Sequence, residues 1–153
     1  MKIVNYLIGL LLLTGCSKNL DNVFTNKKVE SLFISFCNEV KKSDLKKSDN
    51  IFIYTDESCK YGNCNITFIN CLTLNDTDMY AKFHYNGLVV YVDKNISKDV
   101  LILDNYSNKL PTFDDENNGP GEFIEMWLAV KKDTVRFRKL NFKGENSNKW
   151  MTK

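Results

Sequence analysis

The spacing of apolar residues changes once along this chain, and the change limits the folds that it can adopt. From Thr25 or Asn26 to about Lys42, apolar residues recur at intervals of three and four, which places them on one side of a helix. They are Val29, Leu32, Phe33, Phe36, Cys37 and Val40. Thr25 or Asn26 is suited to cap this helix, because its side-chain oxygen can accept hydrogen bonds from unpaired backbone amides. The sequence therefore predicts an amphipathic helix.

The residues after this helix form short stretches that favour β-strands. Asn86-Gly87, between two of them, is typical of a type I′ hairpin turn, whose central residues both have positive φ. Residues 124–131 suit either a strand or a helix, and we assign a strand because residues 135–142 can pair with it. The predicted strands are 51–55, 65–74, 79–85, 88–93, 100–104, 124–131 and 135–142. We expect an α+β domain in which one N-terminal amphipathic helix packs on a curved antiparallel sheet of six or seven short strands.

The first sixteen residues have the pattern of an export signal. Lys2 is followed by an apolar run over residues 3–13. The run is shorter than the about 20 apolar residues that a transmembrane helix needs. A positive start, a short apolar stretch and small residues at its end are typical of a signal that is removed after export. An ordinary signal peptide with an incidental cysteine and an uncleaved anchor are the alternatives.

The end of this segment, Leu13-Thr14-Gly15-Cys16, resembles the lipobox of bacterial lipoproteins. The resemblance implies cleavage before Cys16 and acylation of Cys16, so the lipid bilayer is an expected partner. Two or three acyl chains anchor firmly, since each buried methylene contributes about 0.8 kcal/mol. The expected location is the bacterial cell envelope. Ser17, where an aspartate would favour the inner membrane, points to the outer membrane.

The resemblance also divides the chain into four parts. We expect a signal peptide over residues 1–15, a lipidated tether over 16–24, a single α+β domain over 25–142 and a polar tail over 143–153. The mature chain is long enough for one domain with a substantial core, but not for two ordinary domains.

The charge of the mature chain argues against a nucleic-acid partner. The sequence has 21 basic and 19 acidic residues, and removal of Lys2 with the signal leaves 20 against 19. Nucleic-acid binding needs a concentrated basic face, which a nearly neutral chain does not suggest. An envelope or extracellular protein is the expected partner.

Four cysteines follow Cys16, and an exported chain can meet an oxidising compartment in which disulfides form. Cys59 and Cys64 flank a stretch rich in turn-forming residues, which can bring them together. Cys37, on the predicted helix, could then reach Cys71 on a predicted strand. The alternative is that the cysteines are buried thiols that pack like small apolar residues. A four-cysteine zinc site is disfavoured, because the sequence has no Cys-x-x-Cys pair.

The acidic segment 114–125 has the spacing of a calcium-binding loop. Oxygen-bearing side chains occupy its first, third, fifth, ninth and twelfth places, and the sixth is a glycine. These oxygen-bearing residues are Asp114, Glu116, Asn118, Glu122 and Glu125. The loop departs from the pattern at Glu116 and at Gly121, and no helix is predicted before it. An acidic surface turn is therefore the alternative, and calcium is the only candidate cofactor.

The sequence offers little support for catalysis. His84 is the only histidine, and its position before the hairpin turn favours cross-strand packing. A thiol hydrolase would need His84 beside Cys59, Cys64 or Cys71, and no local signature supports that pair. The leading hypothesis is a non-enzymatic, membrane-anchored protein-binding module, such as an assembly accessory, an inhibitor or an immunity-type protein. A calcium-dependent ligand-binding module and a small exported hydrolase are the alternatives.

Overall fold

The computed structural model describes residues 20, 23–55, 63–71, 80–93, 95–96, 100–101, 123–141 and 149–153. Within these ranges the chain has an α+β fold with one helix and a mixed sheet of seven strands. In chain order the elements are α1 (Lys27–Lys42), β1 (Asn50–Thr55), β2 (Asn63–Asn70), β3 (Tyr80–Tyr85), β4 (Leu88–Asp93), β5 (Ile124–Lys131), β6 (Thr134–Leu140) and β7 (Met151–Thr152). The strands lie in the order β3-β4-β1-β2-β5-β6-β7 across the sheet.

The helix forms where the sequence predicts it, and Asn26 is its cap. The Asn26 Oδ1 accepts hydrogen bonds from the backbone N–H groups of Lys28 at 3.0 Å and Val29 at 3.2 Å. These amides have no partner within the helix, so the cap satisfies them. All six residues of the predicted apolar stripe are buried.

The main core lies between α1 and one face of the sheet, which we call the helix-side face. Alternate residues of every strand from β1 to β6 point into it, as expected for a two-residue period. Its aromatic centre is Phe33, whose ring lies 5.6 Å from that of Phe68 and 5.9 Å from that of Phe83. The intervening strand residues therefore point to the opposite face, which we call the far face.

The pairing of β1 corrects the prediction of a purely antiparallel sheet. β1 runs parallel to β4, with Asn50 opposite Val89 and Ile53 opposite Val92, whereas all other neighbouring strands are antiparallel. β2 occupies one side of β1, and the β3–β4 hairpin places its second strand on the other side. Apolar alternation determines which face a strand buries but not which neighbour it pairs with or in which direction.

The turn between β3 and β4 confirms the predicted hairpin. Asn86 has φ 49° and Gly87 has φ 79°, so both central residues are left-handed, as a type I′ turn requires. The Lys41 Nζ donates to the Asn86 carbonyl oxygen at 2.9 Å and thereby links the end of α1 to the turn.

The folded part of the chain extends beyond both predicted domain boundaries. Leu20, Val23 and Phe24 were expected in the tether, but they are buried in the main core. At the other end, the predicted polar tail contains β7, which pairs with β6. A strand of two residues is too short for a period to be recognised, which explains why the sequence did not indicate it.

The strand predicted over residues 100–104 is described only in part. Its first two residues are buried, and Leu101 forms an isolated antiparallel bridge with Phe24. The remainder of that segment lies outside the described residues. The seventh strand of the described sheet is β7.

Candidate functional site

The far face carries a cleft of about 430 Å³ across β1, β2, β5 and β6. Three register pairs align its side chains: Tyr54 is opposite Thr67, Thr67 is opposite Trp127, and Trp127 is opposite Arg138. Trp150, just before β7, and Asn65 also line the cleft, together with Ile66 and Leu128 of the same strands as Thr67 and Trp127. We call this site the Arg–Trp cleft, defined by Tyr54, Asn65, Thr67, Trp127, Arg138 and Trp150.

The Arg138 guanidinium lies within cation–π distance of both indoles in the cleft. Its Cζ is 3.9 Å from the centroid of the Trp127 ring and 5.4 Å from that of Trp150. Arg136 lies on the same face of β6, with its Cζ 5.6 Å from the centroid of Trp150. A cation within about 6 Å of an indole face is attracted by the ring quadrupole, so these contacts hold the arginines against the aromatic rings.

The two arginines have no carboxylate partner within the described part of the chain. The ion pairs formed there involve lysines only. The Arg138 Nε is buried, and no acceptor for it lies among the described residues. Glu125, on the same face of β5 as Trp127, instead accepts a hydrogen bond from the Trp127 Nε1. The cleft therefore contains an arginine without an ion-pair partner among these residues, and the nearby Glu125 offsets its charge only at a distance.

The opposite wall of the cleft is polar and uncharged. Burial raises the pKa of the Tyr54 hydroxyl, the nearby negative charge of Glu125 raises it further, and a hydrogen bond to the Thr67 side chain opposes both effects. The phenol thus keeps its proton at neutral pH. The positive charge of the cleft comes from Arg138, with Arg136 beside it.

A second apolar cluster stabilises the far face beside the cleft. The Phe52 and Tyr91 rings stack with their centroids 5.0 Å apart and an angle of 19° between their planes, and both side chains are buried. Ile69 and Cys71 complete the buried cluster, and Tyr54 packs against it. The far face is therefore apolar and buried across β4 and β1, and cationic at β6.

The structure corrects one of the two predicted disulfide pairings. Cys37 and Cys71 are buried thiols outside any disulfide. Cys37 packs in the main core and Cys71 in the far-face cluster, so the sheet separates them. Cys64 is disulfide-bonded, and its partner lies outside the described residues. Since Cys59 is also outside them, its pairing with Cys64 stays a prediction.

The predicted calcium ligands are not assembled within the described residues. Asp114, Glu116, Asn118 and Glu122 lie outside these residues, and Glu125 on β5 is engaged by Trp127. No group of three or more metal-ligating side chains occurs among the residues that the structure describes.

The other predicted site residues lie apart from the cleft or outside the described chain. His84 is exposed on β3, opposite Val89. It lies on the far face, but at the edge of the sheet away from the cleft. Cys16 lies outside the described residues. Among the helices of the described ranges, none is long and apolar enough to cross a membrane.

Local sequence patterns do not predict the Arg–Trp cleft, although the composition contains a signal for it. Of the 21 lysines and arginines only two are arginines, and the chain has only two tryptophans. All four residues meet in or beside this cleft. Arg136 and Arg138, two apart on a predicted strand, indicated a shared face, but nothing indicated that Trp127 and Trp150 would meet them.

Comparison with known proteins identifies no relative. No protein-family model matches the chain, and neither curated proteins nor solved structures gave a significant match.

Proposed function

We propose that this protein is a non-enzymatic binding module, lipid-anchored in the bacterial cell envelope, and that the Arg–Trp cleft binds a partner protein. The observation that supports it best is the convergence of both arginines and both tryptophans of the chain on one cleft.

The composition of the cleft suits protein recognition. Tryptophan, tyrosine and arginine are the residues most enriched among those that dominate the binding energy of protein interfaces. Tyr54, Trp127 and Arg138 lie in one row across the sheet, with Thr67 of β2 between Tyr54 and Trp127. The Trp150 ring lies near Arg138, so the sheet holds these anchors in fixed positions. A rigid set of anchors loses little conformational entropy on binding.

The proposed anchor depends on the resemblance of Leu13-Thr14-Gly15-Cys16 to a lipobox. Leu20 is already buried in the main core, so a chain acylated at Cys16 would have a tether of only residues 17–19. An extended chain spans at most about 3.6 Å per residue, so the domain would lie close to the bilayer surface.

The anchor is tested by expressing the full chain and its Cys16→Ala variant in a bacterial host. We expect the wild-type chain to incorporate labelled palmitate and to enter the detergent phase, and the variant to do neither. Ser17→Asp is the control, which should keep the lipid but move the protein towards the inner membrane. Equal detergent partition of the wild-type chain and Cys16→Ala would contradict the lipid anchor.

The binding role is tested by site-specific photo-crosslinking in native envelopes. A photo-reactive residue replaces Asn65, an exposed residue of the cleft, or Asn38, an exposed residue of α1 that serves as the matched control. We expect a discrete protein adduct from position 65 and none from position 38. Absence of an adduct at position 65, or the same adduct from both positions, would refute the cleft as the binding site.

A further inference from the structure

We propose that the Arg–Trp cleft recognises an acidic, extended segment of the partner protein, with one carboxylate bound by Arg138 and a second by Arg136. This inference rests on the proposed function and adds the chemistry of the ligand.

The position of Arg138 determines which of its atoms remain for a ligand. Its guanidinium lies over the Trp127 ring, with the Cζ 3.9 Å from the ring centroid. A guanidinium uses its flat face for such a contact and keeps its N–H donors in its own plane, in the fork geometry that matches a carboxylate. The stacking contact therefore orients Arg138 for bidentate recognition and does not consume its donors.

The Arg138 Nε gives a second indication that an acceptor belongs here. It is buried and has no hydrogen-bond partner among the described residues. Buried donors are nearly always paired in native proteins, and an unpaired one calls for an explanation such as a missing ligand. The Nε is closed to solvent, so a partner's carboxylate would bind the Nη groups of Arg138 and would satisfy the Nε only after the side chain turns outward.

Two described carboxylates beside β6 are already bound to other groups, and Asp133 lies in the exposed turn before the strand. The Glu125 carboxylate accepts from the Trp127 indole, and the Glu39 carboxylate pairs with Lys139 at 2.7 Å on the helix side of the sheet. Neither Glu125 nor Glu39 forms an ion pair with Arg136 or Arg138, so both guanidinium groups can pair with an external anion, although the negative charge of Glu125 on the same face reduces that attraction.

The spacing of the arginines defines the spacing of the ligand's charges. Arg136 and Arg138 are two residues apart on one face of β6. Their Cα atoms are therefore separated by about 7 Å, as antiparallel strand geometry requires. Carboxylates at alternate positions of an extended peptide have the same separation. The structure thus selects an acid-x-acid pattern.

The indoles favour a peptide over an acidic polysaccharide. Sugar rings bind to tryptophan through an open indole face, but Arg138 already lies over Trp127 and approaches Trp150 to 5.4 Å. The groups that remain available are the guanidinium edges, which suit carboxylates, whereas the Tyr54 and Thr67 side chains are hydrogen-bonded to each other.

The test uses the intrinsic fluorescence of the full chain in detergent micelles. Since both tryptophans of the protein line the cleft, all tryptophan emission reports on this site. The probe is acetyl-Ser-Glu-Leu-Glu-Ser-amide, which contains no tryptophan or tyrosine. We expect a saturable change in emission. The Gln-Leu-Gln peptide should bind at least about tenfold more weakly, because hydrogen bonds to charged groups are roughly twice as strong as neutral ones.

Three variants separate the role of Arg138 from a general effect of charge. Arg138→Gln should abolish the response, and Arg138→Lys should weaken it about tenfold, because lysine keeps the charge but lacks the planar fork. Lys82→Gln removes one charge from an exposed residue of the far face on β3 and should leave the affinity unchanged. Thermal unfolding checks that each variant remains folded.

Three outcomes would overturn the acidic-peptide assignment. They are equal affinity for the Glu and Gln peptides, wild-type affinity of Arg138→Lys, and preferential binding of tri-galacturonate, which would identify an acidic glycan instead. If crosslinking from position 65 captures a protein partner and the Glu peptide does not bind, the binding role stands and the ligand chemistry is wrong. If both experiments fail, both proposals fall.

Discussion

Asn70 is a single side chain that connects three segments of the fold. It is buried at the end of β2, where its Oδ1 accepts from the Lys47 N–H at 2.8 Å. Its Nδ2 donates to the carbonyl oxygens of Ser48 at 3.0 Å and Asn50 at 2.8 Å. This amide therefore fixes the loop after α1 against β1 and β2, and every one of these bonds requires an asparagine in this orientation.

The substitution Asn70→Asp should destabilise the fold by about 3 kcal/mol, because it removes both donors and places a carboxylate against two carbonyl oxygens. Asn63→Asp is the matched control, since Asn63 is exposed on the same strand opposite Lys131. Urea unfolding at neutral pH measures both changes. A loss for Asn70→Asp no larger than that of the control would show that the amide network contributes little.

The buried thiol of Cys37 makes the fold less stable at alkaline pH. Burial raises the pKa of its thiol well above the ordinary 9.0, an effect only partly offset by the positive charge of Lys41. In the unfolded chain the Cys37 thiol ionises near pH 9.0, whereas in the folded chain it keeps its proton. The contribution of Cys37 to the free energy of unfolding is therefore complete below pH 9.0 and is lost as the pH rises above it.

We therefore expect the free energy of unfolding to fall by about 1.4 kcal/mol per pH unit above that point through Cys37 alone. The raised pKa values of Tyr54, Tyr85 and Tyr91 extend the fall above their ordinary value of 10.0. Urea unfolding at pH 8, 9 and 10 should give a shallower slope for Cys37→Ala than for the wild-type chain. Identical slopes would assign the effect to other groups.

At the scale of elements, the sequence predicts well what depends on local chemistry. The period of α1, the cap at Asn26 and the positive φ of Asn86 and Gly87 all follow from preferences within a few residues. The pattern of residues 124–131 fits the period of a strand and that of a helix. Pairing with β2 and β6 makes this stretch the strand β5. β7 was missed because its existence depends only on its partner.

The cap gives a prediction about α1. Asn26→Ala should destabilise the protein by about 1 kcal/mol, because two amides of the first turn lose their acceptor. Asn38→Ala, at an exposed position within the same helix, should be neutral or slightly stabilising, since alanine has the higher helix propensity. Thermal unfolding of both variants provides the measurement. Equal shifts in Tm would contradict a specific capping role.

At the scale of the whole molecule, segments distant in sequence complete one core. Phe24 precedes the helix and pairs with Leu101, and its ring lies 5.0 Å from Phe33 and 6.5 Å from Phe83. The polar surroundings of Phe24 in the sequence indicated a tether, because no period extends across it. Its burial depends on contacts with Phe83 and Leu101, which are 59 and 77 positions away in the sequence, and local patterns do not encode such contacts.

Phe24→Ala should cost about 3–5 kcal/mol, the usual loss when a buried phenylalanine is replaced by alanine. Leu45→Ala is the control, since Leu45 is 38% exposed. If residues up to 24 were a simple tether, the two substitutions would have similarly small effects on urea unfolding. A difference of several kcal/mol would place the start of the folded domain before the helix.

The sequence by itself determined the helix, the hairpin at Asn86-Gly87, most of the strands and the α+β class, and it limited the cap to Thr25 or Asn26, because each depends on neighbouring residues. The tertiary structure alone decided the parallel pairing of β1 with β4, the separation of Cys37 from Cys71 and the Arg–Trp cleft. These features depend on which strands become neighbours and on their register. That choice is set by the packing of the whole core, so the alignment of Trp127 with Arg138 emerges only when the sheet is complete.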